Sequence, residues 1–264
     1  MTALMATPRP ITLIFLCLLF FWPSSVYASR PFLATEKSEP IERGTSRLEM
    51  GYEYARFSDS ENRQTVLIEM THGLINNLDF EVEVPTVFAK KGGDSQAGLG
   101  DLRLKSKVRF LKGREANPLS LSGQLVIKFP TCDEDKMPIR DLDSTCTGEV
   151  DVGLVGIASK SFAPINVHLN LGYTFVGNPP SKPLDDVFLY DLAFEYDTPL
   201  RGLSLVTELM GESNNNLPGP NPLAFLYGAV YELVPNLEID GAFSAGLTEG
   251  SPDYTLTVGL AYFF

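Results

Sequence analysis

Apolar and polar residues alternate with a period of two along most of the chain. In residues 166–175, NVHLNLGYTF, the odd-numbered positions are all large and apolar, and the even-numbered positions are polar or small. The same alternation recurs in residues 78–84, 101–110, 187–197 and 253–264. A period of two places successive side chains on opposite faces of a β-strand. The pattern therefore predicts strands with one apolar face and one polar face.

Twelve such segments follow one another through the chain. They start near residues 46, 62, 78, 99, 118, 149, 166, 185, 202, 223, 237 and 253. Each is roughly ten residues long, which suits a tilted strand that crosses a bilayer. No helical periodicity interrupts them. The pattern predicts an all-β fold over residues 46–264, an antiparallel transmembrane β-barrel of about 12 strands.

The connections between these segments alternate in length, as they do in bacterial barrels. Short turns follow the even-numbered segments, and longer polar loops, such as KKGGDSQA at residues 90–97, follow the odd-numbered ones. The first hairpin, SDSE at residues 58–61, is a short exception. A secreted β-sandwich also alternates, but it buries its apolar faces against each other. Charges on the opposite face of nearly every strand favour a barrel with a polar lumen.

Residues 1–28 have the character of a secretory signal peptide. Arg9 precedes an apolar run at residues 11–21, and small residues lead up to Ala28. The run is much shorter than the ~20 residues that a membrane-spanning helix needs. We predict cleavage after Ala28, and we expect residues 29–45 to form a polar periplasmic tail ahead of the barrel.

Charge and cysteine content narrow the class of protein. The net charge of −12 excludes nucleic-acid binding by bulk electrostatics. The two cysteines beyond the leader, Cys132 and Cys146, fall in one acidic external loop, and we expect them to form a disulfide in an oxidising compartment. Such a bond would stabilise the protein by ~3 kcal/mol. Divalent cations could bridge this loop to lipopolysaccharide, although solvated surface charge is the favoured interpretation.

Two neighbouring segments place opposite charges on the polar face. The residues concerned are Arg103, Lys105, Lys107 and Arg109 on the fourth segment, and Asp79, Glu81 and Glu83 on the third. Cross-strand pairs of this kind contribute about 0.2–1 kcal/mol each. They either hold a narrow lumen together or form a charged constriction that selects permeants. Further acidic residues are predicted to face inward, so we expect a lumen that favours cations over anions.

Residues that could support catalysis are scarce. The chain has two histidines, His72 and His168. His168 shares a face with Asn170 and Thr174, but no serine motif accompanies it, as a nucleophilic hydrolase would require. We therefore expect no enzyme and assign no catalytic residue, with a lipid-modifying enzyme as a minor alternative. The histidines and loop cysteines show no metal-ligand spacing, and we expect no metal or cofactor.

The chain ends in DYTLTVGLAYFF, residues 253–264, with large apolar residues at every second position. In a closed barrel this last strand pairs with the first, so its apolar face contacts lipid. The ending, with Tyr262 and Phe264, resembles the C-terminal signal that the outer-membrane barrel assembly machinery recognises. Alternatively, these residues belong only to an aromatic girdle.

Four stretches of the sequence resemble one protein family. They are residues 71–85, 98–111, 147–162 and 169–177, and GLGDLRLKSKVRF at residues 98–110 is the most specific. The family comprises outer-membrane β-barrel proteins labelled as meta-pathway phenol-degradation proteins or transporters. The resemblance covers most of the chain beyond the leader and implies a barrel linked to uptake of small hydrophobic or aromatic compounds. It supplies no catalytic residues.

Together, the pattern and the resemblance lead us to expect a channel or facilitator for small molecules in a bacterial outer membrane, reached by export through the periplasm. The competing hypothesis is a closed structural or adhesive barrel whose loops bind a partner. The partners expected are outer-membrane lipid and lipopolysaccharide, the barrel assembly machinery and a small-molecule permeant.

Overall fold

The structure, a computed structural model, describes residues 35–58, 60–114, 118–132, 146, 148–178, 184–213 and 220–264. Within these residues lie thirteen β-strands: β1 (Ser46–Ser58), β2 (Glu61–Ile75), β3 (Leu78–Lys91), β4 (Asp94–Leu99), β5 (Leu102–Leu111), β6 (Leu119–Phe129), β7 (Asp151–Phe162), β8 (Ile165–Phe175), β9 (Val187–Asp197), β10 (Leu203–Glu212), β11 (Leu223–Val234), β12 (Leu237–Gly246) and β13 (Tyr254–Phe263). The described part contains no helix with the length and apolar character needed to cross a membrane.

The strands form one closed antiparallel barrel. Apart from β4 and β5, which both pair with β3 and not with each other, each strand pairs with its neighbours in the chain. Strand β1 also pairs with β13, from Arg47 opposite Phe263 to Arg56 opposite Tyr254. Ser46 and Phe264 exchange two backbone hydrogen bonds of 2.8 and 2.9 Å at the end of this seam. The predicted antiparallel barrel is therefore confirmed.

The fourth position in the barrel wall is occupied by two strands. Strand β4 pairs with the last part of β3, and β5 pairs with the first part of β3 and with β6. Between these two stretches of β3, the carbonyl of Pro85 accepts a hydrogen bond of 2.9 Å from Gly100 N. Proline has no N–H to return, so the ladder is interrupted where β4 gives way to β5. Twelve barrel positions thus hold thirteen strands.

The long loop predicted at residues 90–97 is wrong. Strand β3 continues to Lys91 and β4 begins at Asp94, so that only Gly92 and Gly93 join them. Gly92 has φ 63°, a conformation that glycine adopts without steric cost and that two-residue hairpins require. The polar residues of this stretch indicated a loop, although they lie on a hairpin that is exposed on both faces.

The two faces of the wall differ as the alternation predicts. Large apolar side chains are exposed on the outer face of strands around the barrel, among them Phe80, Leu154, Phe188, Phe243 and Val258. Charged and polar side chains are buried on the inner face, among them Glu49, Glu69, Lys128, Asp151, Asp191, Glu195 and Glu208. This distribution is the reverse of that in a water-soluble protein and matches a barrel surrounded by lipid.

The two ends of the barrel are distinct. Both chain ends of the barrel lie beside the short connections at residues 76–77, 112–118, 163–164, 198–202 and 235–236, and we call this the turn end. The longer connections lie at the opposite, loop end. There the predicted disulfide joins Cys132 and Cys146, whose Cα atoms are 5.6 Å apart. Residues 133–145, the acidic loop that it closes, lie outside the described residues.

Residues 35–43, which we call the N-terminal segment, lie inside the barrel. We expected residues 29–45 to form a tail outside it, and the described part of that stretch differs from this expectation. The chain turns inward at the turn end, where Thr45 N donates to Glu42 O at 3.0 Å and Gly44 N donates to Gly73 O at 2.8 Å. The polar composition of the segment suits a polar lumen as well as water, so the sequence alone could not place it. Residues 1–34, including the predicted signal peptide, lie outside the described residues.

Candidate functional site in the barrel interior

A ladder of opposite charges runs along the inner faces of β3 and β5. The register places three oppositely charged pairs side by side: Glu83 with Arg103, Glu81 with Lys105, and Asp79 with Lys107. Arg103 Nη1 lies 2.6 Å from Glu83 Oε1. Lys105 Nζ lies 2.9 Å from Glu81 Oε1 and 2.7 Å from Glu83 Oε2. Two of these three adjacent pairs therefore form ion pairs.

Side chains of β1 and β2 extend this ladder. Arg47 forms an ion pair with Glu49, and its Nη2 lies 3.6 Å from Glu81 Oε2. Arg47 Nη2 also donates to the Thr71 hydroxyl at 3.2 Å, which in turn donates to Glu81 at 3.0 Å. The network thus ties four neighbouring barrel positions together on one side of the lumen.

One acidic cluster within this network could in principle hold a cation. Among the described residues, Glu69, Glu81 and Glu83 each bring a carboxylate oxygen to within 4.8 Å of the others. The Lys105 ammonium lies 2.7–3.8 Å from all three carboxylates. It supplies the positive charge that a metal ion would otherwise bring, so we interpret the group as an ion-pair cluster.

The third rung of the ladder binds the N-terminal segment instead of closing on itself. Lys107 Nζ donates to Glu36 Oε2 at 2.7 Å and to the Lys37 carbonyl at 3.1 Å. Asp79 Oδ2 accepts a hydrogen bond of 3.0 Å from Ile41 N. Both members of this adjacent pair are therefore hydrogen-bonded to the segment.

The segment also contacts the opposite side of the barrel. Thr35 donates to Glu208 Oε2 through both its N–H and its hydroxyl, at 3.2 Å each. Glu36 N donates to Asn170 Oδ1 at 2.6 Å, and Asn170 Nδ2 donates back to the Glu36 carbonyl at 2.9 Å. Lys37 Nζ lies 2.7 Å from Glu195 Oε2. These contacts, on β8, β9 and β10, show that the segment crosses the lumen.

Glu36 is the residue of the segment that forms an ion pair with Lys107 of the barrel wall. Burial alone would raise the pKa of its carboxyl group. The nearby Lys107 and Lys105 ammonium groups and the hydrogen bond from Lys107 outweigh burial, and they lower the pKa from 4.5 to about 2. Glu36 is therefore ionised at neutral pH, and its charge is matched by the cations of β5.

Ser159, His168 and Glu195 lie together on β7, β8 and β9. The Ser159 hydroxyl and His168 Nδ1 are hydrogen-bonded at 2.8 Å, and His168 Nε2 lies 3.6 Å from Glu195 Oε2. A serine, a histidine and an acid are the residue types of a hydrolytic triad. However, Ser159 Oγ also accepts a hydrogen bond of 2.9 Å from Ser38 N and is buried beneath the segment. Ser159 and Glu195 therefore bind the docked segment, through Ser38 and Lys37.

A cavity of about 890 Å³, which we call the mouth cavity, opens at the turn end between the segment and the wall. Its charged lining consists of Lys37, Arg43, Arg109, Lys112, Arg114, Glu39, Glu42 and Glu195. Arg109, which we predicted to face the lumen, lines this cavity and donates to the Asn76 carbonyl at 3.2 Å. The four predicted cations of β5 therefore divide among the ladder, the segment and the cavity.

The remaining predicted residues lie away from the lumen. Tyr262 and Phe264 stack on the outer face of the barrel with ring centroids 5.9 Å apart. Cys132 and Cys146 lie at the loop end. Sequence reasoning missed Glu36 and the rest of the docked segment. Residues 35–43 have no strand periodicity, so no local signal in the sequence indicated this docking.

Comparisons with known proteins agree with this architecture. The sequence model of the family described as "Putative MetA-pathway of phenol degradation" matches residues 37–264. No curated protein matches the chain at a significant level.

Several solved barrels share the fold. An outer membrane channel from Pseudomonas putida F1 superposes with a TM-score of 0.67 at 16% identity, over 86% of this chain and 98% of that chain. The NanC porin gives a TM-score of 0.55 at 11% identity, over 82% of this chain and 98% of its own. The KdgM porin gives 0.53 at 11% identity, with the same coverages of 82% and 98%. At these identities the similarity establishes the fold.

Proposed function

The chain belongs to this phenol-degradation family, whose model covers residues 37–264, and we propose that it is a small-molecule channel of a bacterial outer membrane. The observation that carries the proposal is a closed barrel with an apolar outer face and an interior lined by charged and polar side chains. Such a wall is stable in lipid and presents a polar path between its two ends.

Three further features support the outer-membrane location. The similar solved barrels are described as an outer membrane channel and as porins. The predicted signal peptide at residues 1–28 would direct export to the periplasm, and the C-terminal Tyr262 and Phe264 match the ending expected of a substrate of the barrel assembly machinery. We therefore assign the turn end to the periplasm and the loop end, with its disulfide, to the outside near lipopolysaccharide.

We further propose that the N-terminal segment controls passage. It crosses the lumen from Asp79 to Glu208 and holds Lys107 by an ion pair, so a permeant has to pass beside it or displace it. Arg103 and Lys105 are bound to wall carboxylates and shape the remaining path. The family description suggests small aromatic compounds as permeants.

Single-channel conductance in a planar bilayer tests the proposal. The chain without residues 1–28 should give low or brief conductance steps. The chain without residues 1–43, which lacks the whole segment, should give larger and persistent steps. A truncated barrel that is inserted but never conducts would overturn the proposal. Resistance of the barrel to unfolding in cold detergent shows whether each chain has folded.

The alternative function is a closed structural or adhesive barrel with binding loops. The ion-pair network and the docked segment, which fill much of the interior, favour it. Silence of both chains in the bilayer would support this alternative. We do not assign an enzymatic function, because Ser159, the serine beside His168, is covered by Ser38.

A further inference from the structure

The mouth cavity has the size and lining of a ligand site. Its volume of about 890 Å³ lies within the range of small-molecule pockets, roughly 300–1,000 Å³. Five cationic and three acidic side chains line it. The chain as a whole carries a net charge of −12, so this excess of positive charge is a local departure from the rest of the molecule. Such a departure favours an anionic ligand.

Three cations of the cavity come from one stretch, the end of β5 and the turn after it. Arg109 donates to the neutral Asn76 carbonyl at 3.2 Å. Lys112 and Arg114 are exposed and form no ion pair with any residue that the structure describes. By contrast, Lys105 and Lys107 of the same strand are neutralised by carboxylates. Among the described residues, no carboxylate neutralises this stretch, and its charge can therefore attract an anion.

A buried ring nitrogen points independently to a ligand. His168 lines the cavity with only 6% of its surface exposed, and its Nε2 has no hydrogen-bond partner among the residues that the structure describes. Its Nδ1 is occupied by the hydrogen bond with the Ser159 hydroxyl, so a polar ligand can bond to the ring only through Nε2. The neighbouring Glu195 carboxylate, 3.6 Å from Nε2, is paired with Lys37 at 2.7 Å. A buried polar atom without a hydrogen bond costs stability, which a ligand hydroxyl would recover because it can either donate or accept.

The rest of the lining is mostly polar. Ser161, Asn166, Asn76 and Thr45 offer hydroxyl and amide groups, whereas Pro40, Ile41 and Pro118 supply little apolar surface. Hydroxyl and amide groups of this kind bind ligands that carry several hydroxyl groups. A purely aromatic or aliphatic anion would leave them without partners.

We propose that the mouth cavity binds a small hydroxylated carboxylate, with the carboxylate against Arg109, Lys112 and Arg114 and the hydroxyl groups near His168 and Asn166. This inference rests on the proposed function, because the ligand reaches the cavity as a permeant. The sequence led us to expect a lumen that favours cations over anions, and a site for an anion differs from that expectation. The difference arises because Arg109, Lys112 and Arg114 lie beyond the stretch of β5 that faces the acids of β3.

Calorimetric titration of the refolded chain without residues 1–28 provides the test. D-Glucuronate and D-glucose are suitable probes because they differ only in a carboxylate that replaces a hydroxymethyl group. We expect glucuronate to bind and glucose to bind far more weakly. The double variant Lys112→Gln/Arg114→Gln should weaken glucuronate binding by about tenfold or more, since charge-assisted hydrogen bonds are lost. Raising the salt concentration should also weaken binding.

Arg201→Gln is the matched control. Arg201 is an exposed cation in another turn at the same end of the barrel, and it does not line the cavity. This change should alter the affinity by less than about twofold, because water and salt screen the charge of an exposed arginine outside the cavity. An effect as large as that of the double variant would show nonspecific attraction and overturn the proposal.

The two histidines give an internal spectroscopic check. The ring signals of His168 should shift when glucuronate is added, whereas those of His72, which is exposed on the outer face and bonded to Ser46 at 2.9 Å, should not. Equal binding of both sugars, or an unmoved His168 signal at saturation, would overturn the proposal. A barrel that conducts without binding glucuronate leaves the channel function intact. A barrel that binds glucuronate but stays silent after truncation overturns the channel and keeps the site.

Discussion

Lys105 shows how a single buried cation can hold a wall of the barrel together. Its ammonium is shared among Glu69, Glu81 and Glu83, which come from two strands. We expect Lys105→Met to lower the free energy of unfolding by about 3 kcal/mol, because three buried carboxylates lose a cation that they share, and Arg103 and Arg47 compensate Glu83 and Glu81 only in part. Lys105→Arg, which keeps the charge, should retain most of the stability. Urea unfolding in lipid vesicles measures both. A loss of less than about 1 kcal/mol for Lys105→Met would show that water already screens the cluster.

Glu36 gives the docked segment a dependence on pH. Its pKa is about 2 in the folded protein, against an ordinary value of 4.5. A lowered pKa stabilises docking above the ordinary value, and this contribution is lost as the pH falls from about 4.5 towards 2. We expect conductance to rise over that window. In Glu36→Gln, conductance should be raised already at pH 7 and should change less across the window. An identical pH profile for both proteins would assign the effect to other carboxylates.

The disulfide element at the loop end should be separable from the barrel. Cys132 follows β6 and Cys146 precedes β7, so the bond closes a loop outside the strand ladder. We expect reduction with dithiothreitol to increase proteolysis within residues 133–145 and to leave the resistance of the barrel to cold detergent unchanged. Electrophoresis of unheated samples measures both. Unfolding of the barrel on reduction would mean that the bond also fixes the β6–β7 pairing.

The last strand carries two roles that mutation can separate. Phe264 closes the seam through backbone hydrogen bonds with Ser46, and its ring stacks on Tyr262. If the pair is an assembly signal, Tyr262→Ala/Phe264→Ala should lower the amount of folded protein in the outer membrane several-fold while refolding in detergent persists. The control is Val258→Ala, an outward position of the same strand. Equal losses in cells and in detergent would indicate a seam defect instead.

At the scale of elements, the sequence predicted what periodicity can report. Strand positions followed from the alternation. The opposition of the acids on β3 to the cations on β5 followed because neighbouring strands direct alternate side chains into the same lumen. The break between β4 and β5 was missed, because it depends on a missing N–H at Pro85 in the neighbouring strand. The loop at residues 90–97 was wrong for a different reason, since a hairpin that extends beyond the wall is polar on both faces.

For the whole molecule, the orientation of the barrel yields a direct prediction. In intact cells, a membrane-impermeant maleimide should label Gly93→Cys at the loop end. Arg201→Cys at the turn end should react only after the outer membrane is permeabilised. Both positions are exposed, and a Cβ at Gly93 meets no neighbouring atom. The native Cys132–Cys146 disulfide does not react with maleimide. The reverse labelling pattern would invert the proposed orientation.

The site could be predicted from the sequence only where it is built from neighbouring strands. The ladder satisfies that condition. The docked segment does not, because residues 35–43 have no periodicity and bind strands more than a hundred positions away, such as β8 and β10. The mouth cavity forms between that segment and the wall, so strand periodicity alone could not predict it. Long-range polar contacts of this kind carry no local signature in the chain.

The Gly44–Thr45 connection makes the segment a tethered ligand of its own barrel. A tether this short gives an effective concentration on the order of millimolar, without any diffusion step. A dissolved compound at micromolar concentration therefore cannot displace the segment by mass action unless it binds about a thousandfold more tightly. Passage would then depend less on the concentration of the compound outside the cell than on an event at the periplasmic side that loosens the segment. The proportion of open barrels would be set from inside the cell envelope.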